Sequence, residues 1–159
     1  MKTTIDRTVE DGVRTIYKTL LECWNRNDAF GFSNLFTDSA NVIGFDGSQM
    51  NGRQQIAAEL TKIFRDHKVS TYVGIVKEVR KVNQDIYLLR SVAGMLPPGK
   101  SEIKPDVNAI QTLIIVKADG DSKIELYQNT PAAFHGRPEL SKQLTEDLQK
   151  VADKNLIIL

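Results

Sequence analysis

Four strand-like segments follow one another in the second half of this 159-residue chain, with no helix-length segment between them. They cover residues 71–82, 85–96, 107–117 and 123–129, and they are rich in valine, isoleucine, leucine and tyrosine. Turn-forming residues separate them, among them Pro97-Pro98-Gly99. Strands joined by such short connections pair antiparallel, so the pattern predicts a meander. Each long segment also has room for a bulge, which would curve the sheet.

The rest of the chain is predicted to be mostly helical. Residues 4–27 carry apolar side chains at steps of three and four, the pattern of an amphipathic helix. The other predicted elements are a short helix after Asp28 that includes Phe36, a strand from Asn41 to Phe45, a helix from Asn51 to about Lys68, and a helix from Pro138. The apolar tail 155–159 is expected to pack on the body or on a partner.

This order of elements indicates one α+β domain over residues 1–159, with helices on one face of an antiparallel sheet. A strongly curved sheet wrapped around the long N-terminal helix makes a cone. We expect side chains to fill its closed end and the open end to leave a cavity.

Composition narrows the classes of partner. The chain has 21 Lys and Arg against 20 Asp and Glu, which argues against binding to nucleic acid. No apolar run approaches membrane-spanning length, and the start of the chain lacks the apolar segment of a secretory signal. The chain has only one cysteine and two histidines, so we do not expect a metal site. We therefore expect a soluble cytoplasmic protein with no membrane partner, no metal and no cofactor.

Several local strings are similar to those of a known superfamily. The strings are Trp24-Asn25-Arg26-Asn27-Asp28-Ala29, Leu35-Phe36-Thr37-Asp38-Ser39-Ala40 and Gly52-Arg53. With the order of elements, they resemble the opening helices of the nuclear transport factor 2-like, or SnoaL-like, superfamily. Residues 94–99, 108–112 and 128–138 resemble more narrowly its SgcJ/EcaC group.

The resemblance implies a cystatin-like cone with a pocket and a homodimer formed through the open sheet. It implies no single activity, because the superfamily includes isomerases, epoxide hydrolases, dehydratases, polyketide cyclases and non-catalytic association domains. The SgcJ/EcaC group carries an oxidoreductase label. This sequence has no strand–Gly-x-Gly-x-x-Gly–helix unit to support a nicotinamide or flavin site.

Two aromatic residues share the apolar stripe of the first predicted helix. Tyr17 and Trp24 lie two turns apart on one face. They either pack in the core or form an aromatic pocket wall with the phenol and the indole N–H directed at a ligand. Both interpretations predict a hydrogen bond for each side chain, because a buried Tyr or Trp polar atom needs a partner.

Arg90 interrupts an apolar strand segment. Alternation places its side chain on the same face as Leu88 and Val92. On the concave face the guanidinium would need a carboxylate, several acceptors or an anionic ligand, because an unpaired buried charge is unfavourable. On the outer face it would be solvated or lie at a dimer interface. Arg90 is a candidate for ligand binding and for catalysis.

Two amides lie among apolar residues on neighbouring strand segments. Alternation places Gln111 on the face of Leu113, and Gln128 on the face of Ile124 and Leu126. The two amides either bond each other or supply donors to a carbonyl or hydroxyl ligand. Neutral amides can stabilise an oxyanion but cannot take up a proton at neutral pH.

Acid and base candidates are few. Asp46 ends the first predicted strand and is either a turn residue before Gly47 or a carboxylate on the cavity wall. His135 follows the last predicted strand and could shuttle protons, cap the last helix or contact a second subunit. The carboxylate sets of ketosteroid isomerases and epoxide hydrolases have no match here, which argues against that chemistry. Cys23 is expected to be a buried structural thiol.

Two function hypotheses follow. In the first, a homodimer binds a small, largely apolar molecule in a cone lined by Tyr17, Trp24, Arg90, Gln111 and Gln128. Any reaction would be a cofactor-free isomerisation, cyclisation or dehydration of a carbonyl compound. In the second, the protein is a non-catalytic dimeric association module, or it sequesters a compound. A cone filled by its own side chains would rule out the first hypothesis.

Overall fold

The computed structural model describes residues 3–159. The helices are α1 (Thr4–Asn25), α2 (Ala29–Ser33), α3 (Arg53–Asp66) and α4 (Pro138–Ala152), with a 3-10 turn at Pro105–Val107. The strands are β1 (Phe36–Ile43), β2 (Gln49–Asn51), β3 (Thr71–Asn83), β4 (Ile86–Leu96), β5 (Ala109–Ala118), β6 (Asp121–Pro131) and β7 (Ile157–Ile158). All four long predicted strands are confirmed, with shifts of at most two residues at their ends.

The strands form one curved, unclosed sheet in the order β2-β1-β6-β5-β4-β3-β7. Strands β3 to β6 pair antiparallel, as the short turns predict. The edges differ from the expected all-antiparallel sheet, because β1 pairs parallel with β6 and β7 pairs parallel with β3. Helical segments separate both parallel pairs in the chain, which gives room for a crossover.

Bulges interrupt the long strands, as the sequence predicts. The β3–β4 register shifts between Val76 and Glu78, and the β5–β6 register shifts between Ile114 and Ile115. A bulge bends its strand and increases the local twist. The sheet therefore curves around α1, and the predicted α+β fold with a sheet wrapped around a long helix is confirmed.

Helix α1 lies against the concave face of the sheet. It begins with a capping box in which Thr3 accepts from the Asp6 backbone N–H and Asp6 accepts from the Thr3 backbone N–H. Its apolar stripe enters the main core, where Tyr17 is fully buried. Gly74 of β3 makes this approach possible, because a Cβ there would lie 2.6 Å from a Leu21 methyl carbon.

Helix α4 lies on the opposite, convex face. Pro138 occupies its first turn, as predicted. Its buried residues Leu144 and Leu148 pack against Val73 and Val92 of the sheet in a second core cluster. The expectation that all helices share one face is therefore wrong, because the convex face of β3 and β4 also carries apolar side chains that need a cover.

Smaller differences concern the segments around β1 and β7. Phe36 opens β1 instead of closing the second helix, and the short strand β2 precedes α3, which begins at Arg53. The apolar tail packs on the body as expected: Ile157 is buried, and Ile157 pairs with Gly74 of β3. Across residues 3–159, every helix is too short or too polar to cross a bilayer.

Candidate functional site

A cavity of about 310 Å³ occupies the open end of the cone. Helices α1, α2 and α3 supply apolar wall residues such as Trp24, Phe32 and Ile63, and the strands add Met50 and Met95. This volume is near the lower limit of about 300 Å³ for small-molecule pockets, so the cavity suits a one- or two-ring compound. The cone is not filled by its own side chains.

Trp24 stands in an aromatic wall, one of the two roles that the sequence left open. Its ring centroid is 5.3 Å from the centroid of Phe64 and 5.3 Å from that of Tyr72, in edge-to-face arrangements. The indole N–H donates to the Ser70 backbone carbonyl at 2.9 Å. The predicted hydrogen bond is confirmed, but it joins Trp24 to the protein and leaves the indole ring, not its N–H, to contact a ligand.

A buried polar cluster lies beneath the cavity, centred on Gln111. The Gln111 carbonyl oxygen accepts from the Tyr17 hydroxyl at 2.7 Å and from the Ser91 hydroxyl at 3.0 Å. Its amide nitrogen donates to the Tyr127 hydroxyl oxygen at 2.7 Å and to the Asn129 Oδ1 at 2.9 Å. All four hydrogen-bonding positions of the amide are occupied.

The strand register brings this cluster together. Ser91 of β4, Gln111 of β5 and Asn129 of β6 are direct cross-strand neighbours on the concave face. Tyr17 reaches the row from α1, and Tyr127 precedes Asn129 by two residues on the same face. The cross-strand row of Ser91, Gln111 and Asn129 packs into the core. Asn129, together with Tyr127, also borders the cavity.

Tyr72 of β3 completes the polar end of the cavity. The Tyr72 and Tyr127 side chains both line the cavity. Burial raises the pKa of Tyr72, and the nearby Tyr127 hydroxyl partly offsets this. Burial raises the pKa of Tyr127 well above its ordinary value, and burial also raises the pKa of Tyr17. All three phenols therefore stay protonated in the neutral range.

Asp46 lies at the mouth of the cavity in the tight turn between β1 and β2. Among the described residues that line the cavity, it is the single acidic or basic side chain. Its carboxylate accepts from the Ser48 backbone N–H at 2.9 Å, and this bond holds the pKa of Asp46 below its usual range. Asp46 is thus both a turn residue and an exposed carboxylate at the rim.

Two predicted ligand residues point away from the cavity. The Arg90 side chain is 58% exposed on the convex face and lies 3.5 Å from Glu78. Gln128 also lies on the convex face, opposite Thr112. Neither residue lines the cone as predicted, and their roles in ligand binding, like the catalytic role of Arg90, stay predictions. The Gln111–Gln128 amide pair is absent, because the partner of Gln111 is Asn129.

His135 lies outside the cavity, exposed in the loop before α4. It does not cap that helix, because Arg137 occupies the N-cap position without a side-chain cap bond. His135 has no place in this cavity, and its proton-shuttling role stays a prediction. Cys23 is buried, as expected, and burial raises the pKa of its thiol. Within residues 3–159, no group of three or more His, Cys, Asp or Glu side chains is arranged to hold a metal ion.

Three residues at the polar end of the cavity were not predicted from the sequence: Tyr72, Tyr127 and Asn129. Their signal was the spacing of Tyr127 and Asn129, two residues apart on one strand face. This spacing indicates a shared site only when the pairing register with Gln111 is known. Tyr72 has no such partner within its own strand and depends on curvature to meet Tyr127.

No family model matches the sequence, and no curated protein matches it. Solved structures do match. A domain of unknown function with a cystatin-like fold from Nostoc punctiforme is 27% identical, with a TM-score of 0.76 over 96% of this chain and 95% of that chain.

Two more distant structures share the fold. A nuclear transport factor 2-like protein of unknown function from Shewanella oneidensis is 17% identical, with a TM-score of 0.63 over 76% of this chain and 97% of that chain. A Thiobacillus denitrificans protein named for the association domain of calcium/calmodulin-dependent protein kinase type II is 11% identical, with a TM-score of 0.64 over 73% and 91%.

These likenesses agree with the resemblance to the nuclear transport factor 2-like superfamily and confirm its cystatin-like fold for this chain. None of the three neighbours is named for the SgcJ/EcaC group, so that narrower assignment stays a prediction. The likenesses assign no reaction and no ligand.

Proposed function

We propose that this protein binds a small, largely apolar molecule that carries one carbonyl-type hydrogen-bond acceptor. The observation that carries the proposal is the composition of the cavity wall. Apart from Asp46 and Ser48 at the mouth, the wall is apolar and aromatic except at the polar end, which is formed by Tyr72, Tyr127 and Asn129. A few convergent polar groups in an apolar pocket are the usual make-up of a small-molecule site.

The polar end offers donors. Tyr72 lines the cavity, and its hydroxyl can donate a proton into it. The Asn129 amide nitrogen donates one hydrogen to the Ile43 backbone carbonyl at 3.1 Å and keeps a second hydrogen. A carbonyl oxygen matches both donors, whereas the apolar wall accommodates the rest of the molecule.

Binding is the better-supported part of this proposal, and a reaction would be an extension of it. The same donors would polarise a bound carbonyl and stabilise negative charge developing on its oxygen in a cofactor-free isomerisation, cyclisation or dehydration. Asp46 is the carboxylate at the cavity, and its lowered pKa makes it a weak general base. We therefore propose a binding protein in the first place.

Removing the Tyr72 hydroxyl tests the proposal. We expect 2-tetralone, a two-ring ketone, to bind the unmodified protein saturably, and Tyr72→Phe to raise its Kd about fivefold to tenfold through the loss of one hydrogen bond. The single tryptophan, Trp24, lines the cavity, so quenching of its fluorescence measures binding directly.

Tyr87→Phe is the matched control, because Tyr87 is another buried tyrosine of the sheet that does not line the cavity. We expect its Kd for 2-tetralone to equal that of the unmodified protein. Absence of saturable quenching in the unmodified protein, or equal losses in both variants, would contradict the proposal.

We also propose that two copies of the chain associate through the convex face of the sheet. Half-buried Leu88, Ile114 and Leu126 lie there on adjacent strands β4, β5 and β6, beyond the part covered by α4. Arg90 and Gln128 lie on the same face and could form polar contacts across a twofold axis. A neighbour named for an association domain shares the fold.

A charge on this face is expected to separate the copies. Leu126→Lys should convert a dimer at micromolar concentration into a monomer, as measured by light scattering after size exclusion. Phe30→Lys is the control, since Phe30 is 78% exposed on α2, away from the sheet face. A monomeric unmodified protein, or a Leu126→Lys variant that stays dimeric, would refute this association.

A further inference from the structure

We propose that Gln111, which does not line the cavity, is a specificity-determining residue that makes the cavity wall prefer a hydrogen-bond acceptor over a donor. It acts as a positioning residue by fixing which way the hydroxyl proton of Tyr127 points. This inference rests on the proposed binding function and deepens it.

The first step fixes the orientation of Asn129. Its nearest partner on β1 is the Ile43 backbone carbonyl, 3.1 Å away, and a carbonyl can only accept. The Asn129 nitrogen must therefore face Ile43, and its Oδ1 must face Gln111. The backbone of β1 thus assigns the two ends of an amide that shape alone would leave interchangeable.

The second step fixes the orientation of Gln111. Because the Asn129 Oδ1 can only accept, the Gln111 nitrogen must face it, at 2.9 Å. The same nitrogen lies 2.7 Å from the Tyr127 hydroxyl oxygen and has no lone pair with which to accept. On the other side, the Gln111 oxygen is held by the hydroxyls of Tyr17 and Ser91.

The third step carries this orientation to the cavity. Since Tyr127 must accept from Gln111, its own proton is directed away from Gln111. Tyr127 lines the cavity, so that proton is left for a ligand there. A hydroxyl is both donor and acceptor, so the direction of the Tyr127 hydroxyl depends on the one group that cannot accept, the amide nitrogen of Gln111.

A glutamate at position 111 would reverse this direction with little change in shape. The oxygen that replaces the amide nitrogen has a lone pair whether the carboxyl group is ionised or protonated. Tyr127 can then donate to residue 111. It would present a lone pair to the cavity in place of a proton, and a hydroxyl ligand would fit better than a ketone.

The test compares two probes that differ at one group, 2-tetralone and 2-tetralol. We expect the unmodified protein to bind the ketone more tightly than the alcohol. In Gln111→Glu, the ratio of the alcohol Kd to the ketone Kd should fall about tenfold, because one probe loses a hydrogen bond and the other gains one. Titration calorimetry measures both constants.

Tyr17→Phe separates this role from a structural one. It removes a 2.7 Å hydrogen bond from the same buried cluster but leaves Gln111, Tyr127 and Asn129 in their orientations. We expect lower thermal stability and an unchanged ratio of the two Kd values. An unchanged ratio in Gln111→Glu, or an equal change in Tyr17→Phe, overturns the inference.

Two results keep the inference and the proposed function apart. If the unmodified protein binds neither probe, the proposed function fails and this inference fails with it; if it prefers the ketone and Gln111→Glu keeps that preference, only the inference fails. Should Gln111→Glu not fold, proton NMR of the unmodified protein decides. A Tyr127 hydroxyl proton with cross-relaxation to the Tyr72 ring supports the inference, and one directed at the Gln111 side chain overturns it.

Discussion

Replacing Gln111 with leucine is expected to lower the free energy of unfolding by about 4 kcal/mol. The substitution removes four hydrogen bonds at once and leaves Tyr17, Ser91, Tyr127 and Asn129 without that partner in a buried site. Each buried polar group left without a partner costs about 1–3 kcal/mol. The expected loss of about 4 kcal/mol is the lower end of the range obtained by adding these four costs, because Tyr127 and Asn129 can partly bond each other. Urea unfolding followed by circular dichroism measures the difference.

Gln128→Leu is the matched control on the neighbouring strand. Gln128 is half-buried on the convex face, and its side chain makes no hydrogen bond within residues 3–159. We expect the same change of side chain there to alter stability by no more than about 0.5 kcal/mol at equal protein concentration. Similar effects of the two substitutions would show that the Gln111 cluster is not the polar centre of the core.

Filling the cavity is expected to abolish ligand binding without unfolding the protein. Ile63 of α3 is half-buried on the cavity wall, and a tryptophan there would place its larger ring in the space of about 310 Å³. The Kd of 2-tetralone should rise by more than about a hundredfold, because the probe and the indole cannot occupy the same volume. Titration calorimetry is the appropriate measurement, since a second tryptophan complicates fluorescence.

Lys62→Trp serves as the control for this experiment. It adds the same side chain one residue earlier in α3, on the exposed surface. Its Kd should remain that of the unmodified protein. If Ile63→Trp binds the ketone normally while keeping its fold, the ligand does not enter this cavity and the proposed function is wrong.

The contrast between Gln111 and Gln128 shows how far alternation along a strand carries a prediction. Both amides follow apolar residues at steps of two, and Gln111 lies where that pattern places it. In β6, the register shift separates Ile124, which is buried, from Leu126, which faces outward, so Gln128 follows Leu126 to the convex face. A bulge of one residue reverses every side chain beyond it, and its position depends on pairing with the next strand.

Arg90 illustrates a second limit. Alternation grouped it correctly with Leu88 and Val92, but it did not say whether that group faces α1 or α4. Both faces of β4 carry apolar residues, because helices cover the sheet on both sides. The choice of face is made by packing between distant elements, and a single sequence does not contain that information in its local periodicity.

Helix α1 shows a third case. Tyr17 and Trp24 share one face as predicted, yet seven residues of helix separate them by about 10 Å. Trp24 therefore reaches the open end of the cone, while Tyr17 lies among the buried polar groups under the cavity floor. Periodicity predicts the direction of a side chain, whereas the depth at which a cavity begins depends on how the sheet curves.

The parallel pairing of β1 with β6 also affects the order in which the protein assembles. Val42 lies beside Tyr127 in this pair, so one wall of the cavity joins the first third of the chain to its last quarter. Contacts between such distant positions form late and slow folding. As the chain leaves the ribosome, its aromatic residues from Trp24 to Tyr72 are made long before the strand that closes over them. This apolar surface stays open to water and to chaperones until synthesis passes Asn129.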